Sequence, residues 1–241
     1  MENRIKELER LNQTSEIYTT EAGKLNQDII SYNSAELIKL RGLVGGRALQ
    51  LGLGDGYIAG LLAKRYDEFV ILEGSDNVIR DFNDPNAGYS VIKTLFEEYE
   101  AEKKFDLLLG NHILEHVDDP VGIMRQAKKS LKPGAKAIFS VPHANSLHRR
   151  IGVEMGMLKT RNELNAQDLQ LGHRRVYTIP EFEADITKAG FKIIETRGYM
   201  IKLVSNAQMK GWSRELLDAI FKVSLEAPSE ICSNIAVICE A

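Results

Sequence analysis

Short apolar runs separated by helical patterns constrain this sequence more than any other feature. Residues 48–51 form one such run, which leads through the glycine-rich stretch LGLGDG into a predicted helix over residues 57–66 and a second run over residues 69–72. Strands that are apolar along their whole length are typical of parallel sheets covered on both faces. Further runs of this kind are residues 89–92, 105–109, 135–141, 191–194 and 235–239. The sequence therefore predicts an α/β fold with a Rossmann-like, doubly wound, mostly parallel seven-stranded sheet.

The flanking segments divide the chain into a core and its additions. Residues 1–41 are polar and mostly helical in pattern, which predicts an N-terminal helical cap in front of an α/β domain over residues 42–241. Residues 143–177 follow the fifth predicted strand and show no strong periodicity. We interpret them as a lid insertion over the open edge of the sheet. Ligands of this fold class bind at that edge, outside the carboxyl ends of the strands.

Charge and cysteine content narrow the class of partners. The 31 basic and 34 acidic side chains leave a net charge of -3, which argues against a broad nucleic-acid-binding face. No apolar run approaches the roughly 18 residues of a membrane helix, and the N-terminus lacks the hydrophobic segment of a secretory signal. Cys232 and Cys239 form no CxxC pair and fall in an apolar segment, so no metal is predicted. We expect a cytoplasmic protein that binds neither nucleic acid nor membrane, with its oligomeric state open.

The glycine-rich stretch predicts a nucleotide pocket. Gly52, Gly54 and Gly56 stand between a predicted strand and a predicted helix, where the missing Cβ lets the backbone turn sharply and approach a ligand. Glu73 ends the second predicted strand about 20 residues later, where a carboxylate can accept hydrogen bonds from ribose hydroxyls. A frame shifted by two residues, with Ala59 in the third position, also fits the dinucleotide pattern. These residues alone leave NAD and an adenosyl cofactor open.

The downstream residues choose between these cofactors through a resemblance. The stretches concerned are residues 51–56, Glu73, FDLLLGNHILEHVDDP over residues 105–120, LKPG over residues 131–134, and residues 172–191 with His173, Tyr177 and the ending AGF. Together they resemble the class I S-adenosylmethionine-dependent methyltransferases, particularly the small-molecule branch that is similar to ubiquinone-biosynthesis O-methyltransferases. The resemblance implies methyl transfer from S-adenosylmethionine to oxygen, or nitrogen, of a small polar metabolite or glycan precursor, with S-adenosylhomocysteine as the product.

The resemblance also implies which residues hold the cofactor. The three glycines of the loop pass close to its methionine and ribose parts, and the carboxylate after the second strand binds the ribose. Leu95 and Phe96 match the positions that flank the adenine, while Asn111 and His112 match those that face the methionine moiety. Gln50 departs from the family, which usually has an acidic residue two positions before the first glycine. Glutamine keeps hydrogen-bonding capacity but lacks the charge that favours the ammonium group of the cofactor.

Histidine and arginine side chains are the candidates for the acceptor site. The pKa of histidine suits it to accept a proton near neutral pH, and the candidates are His112, His148 and His173, of which the last is preferred as the base. Adjacent guanidinium groups match the oxygens of an anionic acceptor such as a carboxylate or a phosphate. The predicted substrate-binding residues are Arg149, Arg150, Arg174, Arg175 and Tyr18. The alternative is that these arginines form a solvated basic surface paired with acidic residues.

Two other functions stay open at this stage. An NAD-dependent oxidoreductase fits the shifted glycine frame, although no Tyr-x-x-x-Lys pair or comparable hydride-transfer centre is apparent. A non-catalytic cofactor-binding protein fits the neutral Gln50. Comparing the binding of NADH with that of S-adenosylhomocysteine separates the oxidoreductase from a methyltransferase, and product formation excludes the non-catalytic protein.

Overall fold

A single sheet organises the computed structural model, which describes residues 2–241, with side chains from Arg4 onward. Met1, the first residue of the predicted cap, lies outside the described residues. The strands are β1 (Arg47–Leu51), β2 (Glu68–Glu73), β3 (Ser90–Lys93), β4 (Phe105–Asn111), β5 (Leu131–Pro142), β6 (Lys192–Tyr199) and β7 (Asn234–Glu240). They form a seven-stranded sheet in the order β3-β2-β1-β4-β5-β7-β6, in which β7 is antiparallel to both neighbours and the other pairs are parallel. The predicted α/β fold with a mostly parallel seven-stranded sheet is confirmed.

Helices precede the sheet, connect its strands and flank its open edge. Within the described residues they are α1 (Glu2–Thr14), α2 (Glu21–Asn26), α3 (Tyr32–Leu40), α4 (Tyr57–Leu62), α5 (Asp76–Phe82), α6 (Pro120–Lys128), α7 (Leu147–Glu154), α8 (Ala166–Gln170), α9 (Ile179–Lys188) and α10 (Arg214–Ser224). Side-chain caps fix where several of them begin. Asp119 accepts the N–H of Gly122 at 2.8 Å at the start of α6, and Thr178 and Glu181 form the predicted capping box of α9.

Apolar side chains from successive strand positions fill both faces of the sheet. Leu49 and Phe139 pack in the cluster on one face, and Ile71 and Leu109 pack in the cluster on the other. All four are essentially inaccessible to solvent. Strands buried on both sides need an uninterrupted apolar sequence, which is why the short runs locate β1, β2 and β4 so well.

The helix α10, before the last strand, packs only part of its apolar surface. Leu217 and Phe221 are buried in a cluster with Ile29 and Leu37 of the N-terminal segment, and Ile220 packs against that cluster. Leu216 and Val223 are exposed by 45% and 62%.

The carboxyl ends of the parallel strands open onto one edge of the sheet. The strand order reverses at the neighbouring strands β1 and β4, so the connections on either side of this point leave a crevice between them. The segment 143–177, which contains α7 and α8, forms a loop closed at its base: the N–H of Tyr177 donates to the carbonyl of Pro142 at 3.3 Å, and the N–H of Ala144 to that of Tyr177 at 2.8 Å. Within residues 2–241, every helix is too short or too polar to cross a membrane.

Candidate active site

A cavity of about 310 Å³ lies at this edge of the sheet. Its floor consists of the turns after β1 and β2 and the ends of β4 and β5. Its other walls come from α1, from residues 165–173 and from residues 202–206. Cavities of this size at the switch point of an α/β sheet are the usual place for a small-molecule ligand.

The glycine-rich turn after β1 forms one end of the cavity. Gly52 and Gly54 have φ angles of 76° and 58°, and a Cβ built on Gly54 would meet no atom within 4 Å. The carboxylate of Glu73 fixes this turn, because its Oε2 accepts the N–H of Leu53 at 2.9 Å and its Oε1 accepts that of Ser75 at 2.8 Å. Burial raises the pKa of Glu73, and the backbone N–H groups of Ser75 and Leu53 oppose that shift. The turn and the carboxylate that the sequence singled out therefore form one unit.

Several polar atoms around the cavity have no hydrogen-bond partner among residues 4–241. They include Gln50 Oε1, Asn111 Nδ2 and Glu115 Oε2, each without contact to solvent. Gln50 donates its Nε2–H to the carbonyl of Gly52 at 2.8 Å, and Asn111 Oδ1 accepts from the hydroxyl of Ser140 at 3.1 Å. Unpaired buried polar atoms are costly, so they indicate a ligand that offers both donors and acceptors. S-adenosylmethionine has both, in its ribose, adenine, ammonium and carboxylate groups.

Of the other residues predicted to bind the cofactor, Leu95 and Phe96 line the cavity and Gly56 does not. Leu95 and Phe96 line the cavity beside Glu73. Gly56 does not line it; this residue begins α4 with a φ of 71°, and a Cβ there would lie 2.9 Å from the carbonyl oxygen of Phe82. Gly56 therefore shapes the turn and its packing rather than the wall of the cavity, and the sequence alone did not distinguish these roles.

His112 lies at the end of β4 in a hydrogen-bonded chain. Its φ of 52° is uncommon for a residue with a side chain, and both ring nitrogens are engaged. Nδ1 lies 3.1 Å from Glu115 Oε1, and Nε2 lies 3.1 Å from the hydroxyl of Tyr199, which is 2.9 Å from Ser34 Oγ. Burial alone would raise the pKa of Glu115, but the hydrogen bond from His112, together with charge interactions with His112, His116 and His173, outweighs burial and the pKa is lowered. An ionised Glu115 places the ring proton on Nδ1, so Nε2 accepts from Tyr199.

His173 belongs to a second buried group on the lid side of the cavity. Its Nδ1 lies 3.3 Å from Asp168 Oδ1, and Asp168 Oδ2 lies 3.2 Å from a terminal nitrogen of Arg149. Burial would raise the pKa of Asp168, but hydrogen bonds from His173 and from the Asn165 backbone, with the charge of Arg149, lower it to about 2. Asp168 is therefore ionised near neutral pH and orients the imidazole of His173.

Two further histidines of the cavity are poor proton acceptors. The ring of His116 packs edge-on against His173 with centroids 4.7 Å apart, and burial lowers the pKa of His116 to about 4. Burial, with the charges of Lys202 and Arg149, lowers the pKa of His148 to about 2. A ring with so low a pKa binds a proton only weakly, so His148 is poorly suited to its predicted role as a general base near neutral pH.

One set of side chains around the cavity has ligand atoms spaced as a metal ion would require. Glu115, His116 and His173 each place one such atom within 4.8 Å of the other two. Neutral imidazole and carboxylate are ligands for several divalent cations. These three residues could hold a metal, whereas the sequence reasoning considered only the two cysteines, which are buried and free.

Three of the four arginines predicted to bind the acceptor do not line the cavity. Arg150 donates to the carbonyls of Asn145 and Glu230, and Arg174 forms an ion pair with Asp118. Arg175 donates to the carbonyls of the 114–118 turn, at 2.8 Å for the carbonyl of Leu114. The physical reason is local: guanidinium groups have five donors, and here those donors satisfy carbonyls of irregular backbone. These arginines bind the protein itself and offer no observed contact to the cavity.

Arg149 and Tyr18 do line the cavity but in other roles than the predicted one. Arg149 is 4% exposed, and its Nε donates to the carbonyl of Arg161 at 2.7 Å, while other guanidinium nitrogens bond Asp168 and the carbonyl of Glu163. Its donors therefore hold the lid together. Tyr18 lies at the cofactor end, since burial and then the charges of Glu73 and Asp55 raise its pKa. The contacts of Arg149 and Tyr18 therefore do not support their predicted role in binding an anionic acceptor.

Sequence reasoning missed a lysine on the wall of the cavity. Lys202 follows β6, is 8% exposed and donates to Asn206 Oδ1 at 2.7 Å. Its signal in the sequence was weak but present: a lone charge inside the apolar stretch YMIKLV. Asp168 was also overlooked as a site residue, because sequence alone did not show that it meets His173.

Comparisons with known proteins identify the family of the chain. The family model described as "Methyltransferase domain" matches residues 18–196 of the chain. A ubiquinone biosynthesis O-methyltransferase of Idiomarina loihiensis is 31% identical over 121 residues, which cover 46% of this chain and 49% of that protein. A second one, of Vibrio vulnificus, is 28% identical over 118 residues, or 45% and 49% of the two chains. The chain thus spans about half the length of the curated relatives it matches.

Solved structures show the same fold at low sequence identity. The N-methyltransferase NodS of Bradyrhizobium japonicum in complex with S-adenosyl-L-homocysteine aligns with a TM-score of 0.55 at 13% identity, covering 99% of this chain and 98% of that one. An S-adenosylmethionine-dependent methyltransferase of Mesorhizobium loti aligns with a TM-score of 0.59 at 16% identity, covering 88% and 100%. The match over residues 18–196 shows that the chain belongs to the methyltransferase domain family.

Proposed function

We propose that the protein transfers the methyl group of S-adenosylmethionine to an oxygen of a small polar acceptor. When bound, the cofactor supplies an electrophilic methyl group on a sulfonium. The observation that carries the proposal is the common cavity, which is lined by the turn fixed by Glu73 and by the His173–Asp168 pair. One cavity can therefore bind the donor and hold a base beside the acceptor. Oxygen is preferred over nitrogen because the curated relatives are named as O-methyltransferases.

The residues at the glycine end are proposed to bind the cofactor. The backbone at Gly54 leaves open space where a side chain would otherwise stand, and the Glu73 carboxylate is anchored by two N–H groups, which leaves lone pairs for ribose hydroxyls. The unpaired atoms of Gln50 and Asn111 offer one acceptor and one donor to the methionine part. Gln50 cannot supply a charge, but Asp55 also lines this end of the cavity and can attract an ammonium group.

His173 is proposed as the general base. An oxygen nucleophile loses its proton on methylation, and a positioned base contributes roughly 10² to 10⁴ in rate. Asp168 at Nδ1 favours the tautomer with a free lone pair on Nε2. His112 uses both nitrogens in its contacts with Glu115 and Tyr199, so it is proposed to position the end of β4 rather than to accept the proton. The segment 143–177 is proposed to act as a lid that excludes water from the transfer.

Calorimetric titration with S-adenosylhomocysteine tests the donor half of this proposal. The wild-type protein should bind it, and Glu73→Ala should weaken binding by roughly tenfold or more, since hydrogen bonds to a charged group contribute about 1.5 to 3 kcal/mol. Glu226→Ala, at an exposed position two residues after the end of α10, is the matched control and should bind normally. Equal affinity of the Glu73 variant and the control would contradict the assigned ribose site.

Methyl transfer from tritiated S-adenosylmethionine tests the acceptor half. A panel of phenols, catechols and aliphatic hydroxy acids covers the oxygen nucleophiles that a cavity of about 310 Å³ admits beside the donor. A parallel panel of primary amines covers nitrogen. Transfer to amines alone would refute the preference for oxygen, and cofactor binding without transfer to either panel would favour a non-catalytic protein.

A further inference from the structure

Lys202 occupies an unusual position for a lysine. It is buried to more than nine-tenths on the cavity wall that follows β6, two residues after Met200, whose φ is 60°. Its ammonium donates to Asn206 Oδ1, and the amide of Asn206 donates in turn to Asn26 Oδ1 at 2.8 Å. The two amides fix the end of the lysine side chain. The flexible stem of a lysine normally lets its ammonium reach water. A lysine whose only role was solubility would therefore be expected to place its ammonium outside the cavity.

The ammonium of Lys202 has no carboxylate partner among residues 4–241, whose side chains the structure describes. Within that range no carboxylate oxygen lies within 4.0 Å of its nitrogen, and Asn206 is its hydrogen-bond acceptor. An ammonium has three N–H donors, so two remain for a ligand. Burial lowers the pKa of Lys202 to about 8, which still leaves it mostly protonated at pH 7. A buried, incompletely paired charge is expensive, and an anion in the cavity would offset that cost.

The surroundings of Lys202 direct an anion to this end of the cavity. The charge of Asp168 raises the pKa of Lys202, but the carboxylate of Asp168 already contacts Arg149 and His173. His148 Nδ1 is buried and has no hydrogen-bond partner within the described part of the chain. His148 and Lys202 line the same cavity, and the charge of Lys202 contributes to the low pKa of His148. An ammonium and a neutral imidazole that needs a partner therefore share one cavity.

The two ends of the cavity differ in charge. Asp55 and Glu73 line the glycine end. These carboxylates favour the cationic donor and disfavour an anion beside them. Lys202 and His148 line the cavity with the lid, where the ionised carboxylate of Asp168 is paired with the guanidinium of Arg149. A cavity polarised in this way accepts a positively charged donor and a negatively charged acceptor in a single orientation.

We infer that the methyl acceptor is an anion, and that its carboxylate or phosphate group is bound by the ammonium of Lys202 with His148 as a second contact. This inference rests on the proposed methyl transfer and specifies its substrate class. It assigns to Lys202 the role that the sequence had suggested for the arginine pairs. A carboxylate or phosphate held there orients the acceptor so that its remaining part extends along the cavity toward the glycine turn.

Titration of the protein saturated with S-adenosylhomocysteine tests the inference. The probes are 4-hydroxybenzoate, phenyl phosphate and the neutral methyl ester of 4-hydroxybenzoate, each followed by calorimetry up to about 10 mM. The wild-type protein should bind at least one anion roughly 10- to 100-fold more tightly than the ester, as expected for a charge-assisted hydrogen bond. The stronger of the two anions identifies the group as carboxylate or phosphate.

Variants of Lys202 locate the effect. Lys202→Met should abolish the preference for the anion while leaving the affinity for S-adenosylhomocysteine unchanged, and Lys202→Arg should retain part of it. Lys222→Met, at an exposed position of α10, is the matched control and should behave as wild type. Lys202→Gln replaces the Met variant if the latter loses its thermal transition. An unchanged preference in the Lys202 variants, or no preference in the wild type, would overturn the inference.

The same experiment separates the two levels of the proposal. Failure of the wild-type protein to bind S-adenosylhomocysteine would refute the proposed function and the inference together. Binding of S-adenosylhomocysteine without selectivity for the anions would refute the acceptor class alone.

Discussion

Replacement of Asp168 by asparagine measures how strongly the lid side of the active site depends on charge. Asn has nearly the same shape as Asp, and its Oδ1 can still accept a hydrogen bond from the lid backbone, where Asp168 now accepts the N–H of Asn165 at 2.9 Å. The change therefore removes the charge and replaces the oxygen that faces His173 with an NH2 group, which donates instead of accepting. Arg149 stays partly satisfied, because two of its nitrogens also donate to the carbonyls of Arg161 and Glu163.

The size and pH dependence of the effect follow from the pKa of Asp168. The folded protein holds this pKa at about 2, against an ordinary value of 3.8. At about 1.4 kcal/mol per pKa unit, the ionised carboxylate stabilises the folded state by roughly 2 kcal/mol. Since the folded pKa is depressed, this contribution is fully present above about pH 4 and disappears as the pH falls through 2. Asp168→Asn should therefore lower the free energy of unfolding by roughly 2 kcal/mol at pH 7 and by progressively less below pH 4.

Urea unfolding followed by circular dichroism at pH 7, 5, 4 and 3 measures this difference. Asp81→Asn is the control, because Asp81 forms an ion pair with Arg80 on the surface and such pairs contribute little. A loss of stability that is as large for the control, or that stays constant from pH 7 to pH 3, would refute the electrostatic argument. In Asp168→Asn, kcat should fall more than the affinity for S-adenosylhomocysteine, since Asp168 orients the proposed base.

Three further substitutions probe separate parts of the molecule. Gly54→Trp should abolish S-adenosylhomocysteine binding in calorimetry without unfolding the protein, because the new side chain fills the cavity rather than the core; retained binding would contradict the site. His173→Gln should lower kcat by roughly 10² to 10⁴ at unchanged cofactor affinity, and a smaller loss in steady-state assays would exclude it as the base. Phe139→Ala should cost roughly 3 to 5 kcal/mol in urea unfolding, because this fully buried ring packs against Phe191; a loss under about 1 kcal/mol would contradict the assigned core.

The fold could be predicted from sequence because its strands are apolar throughout. All seven predicted runs coincide with strands, and the strongest of them, β1, β2 and β4, lie in the middle of the sheet. The boundaries were less accurate. β5 begins at Leu131, four residues before the predicted run over residues 135–141, and its pairing with β4 shifts register between Phe105 and Leu107. Such irregularities depend on the neighbouring strand and have no local signature.

The active site was only half predictable, and the difference has a physical cause. The glycine turn and Glu73 belong to one strand–turn–helix–strand unit, so their proximity follows from local geometry. The arginine pairs stood out by composition, yet composition does not reveal whether a guanidinium bonds a ligand or the carbonyls of its own loop. Lys202 and Asp168 meet the cavity only because the lid and the segment after β6 return to the same edge of the sheet. Contacts of that kind depend on tertiary structure and leave little trace in one sequence.

The donor end and the acceptor end of the cavity differ in how easily substitutions can alter them. The donor end is built from backbone that also closes β1 and β2, so a substitution at Gly52 or Glu73 disturbs the turn on which the sheet depends. The acceptor end is built from side chains on loops, where substitutions alter contacts with a ligand at less cost to the fold. Lys202 donates to a neutral amide and Asp168 stabilises the lid, so the first can be replaced at lower cost than the second. We therefore expect the charge of the acceptor to be decided at position 202, on a donor site that stays the same.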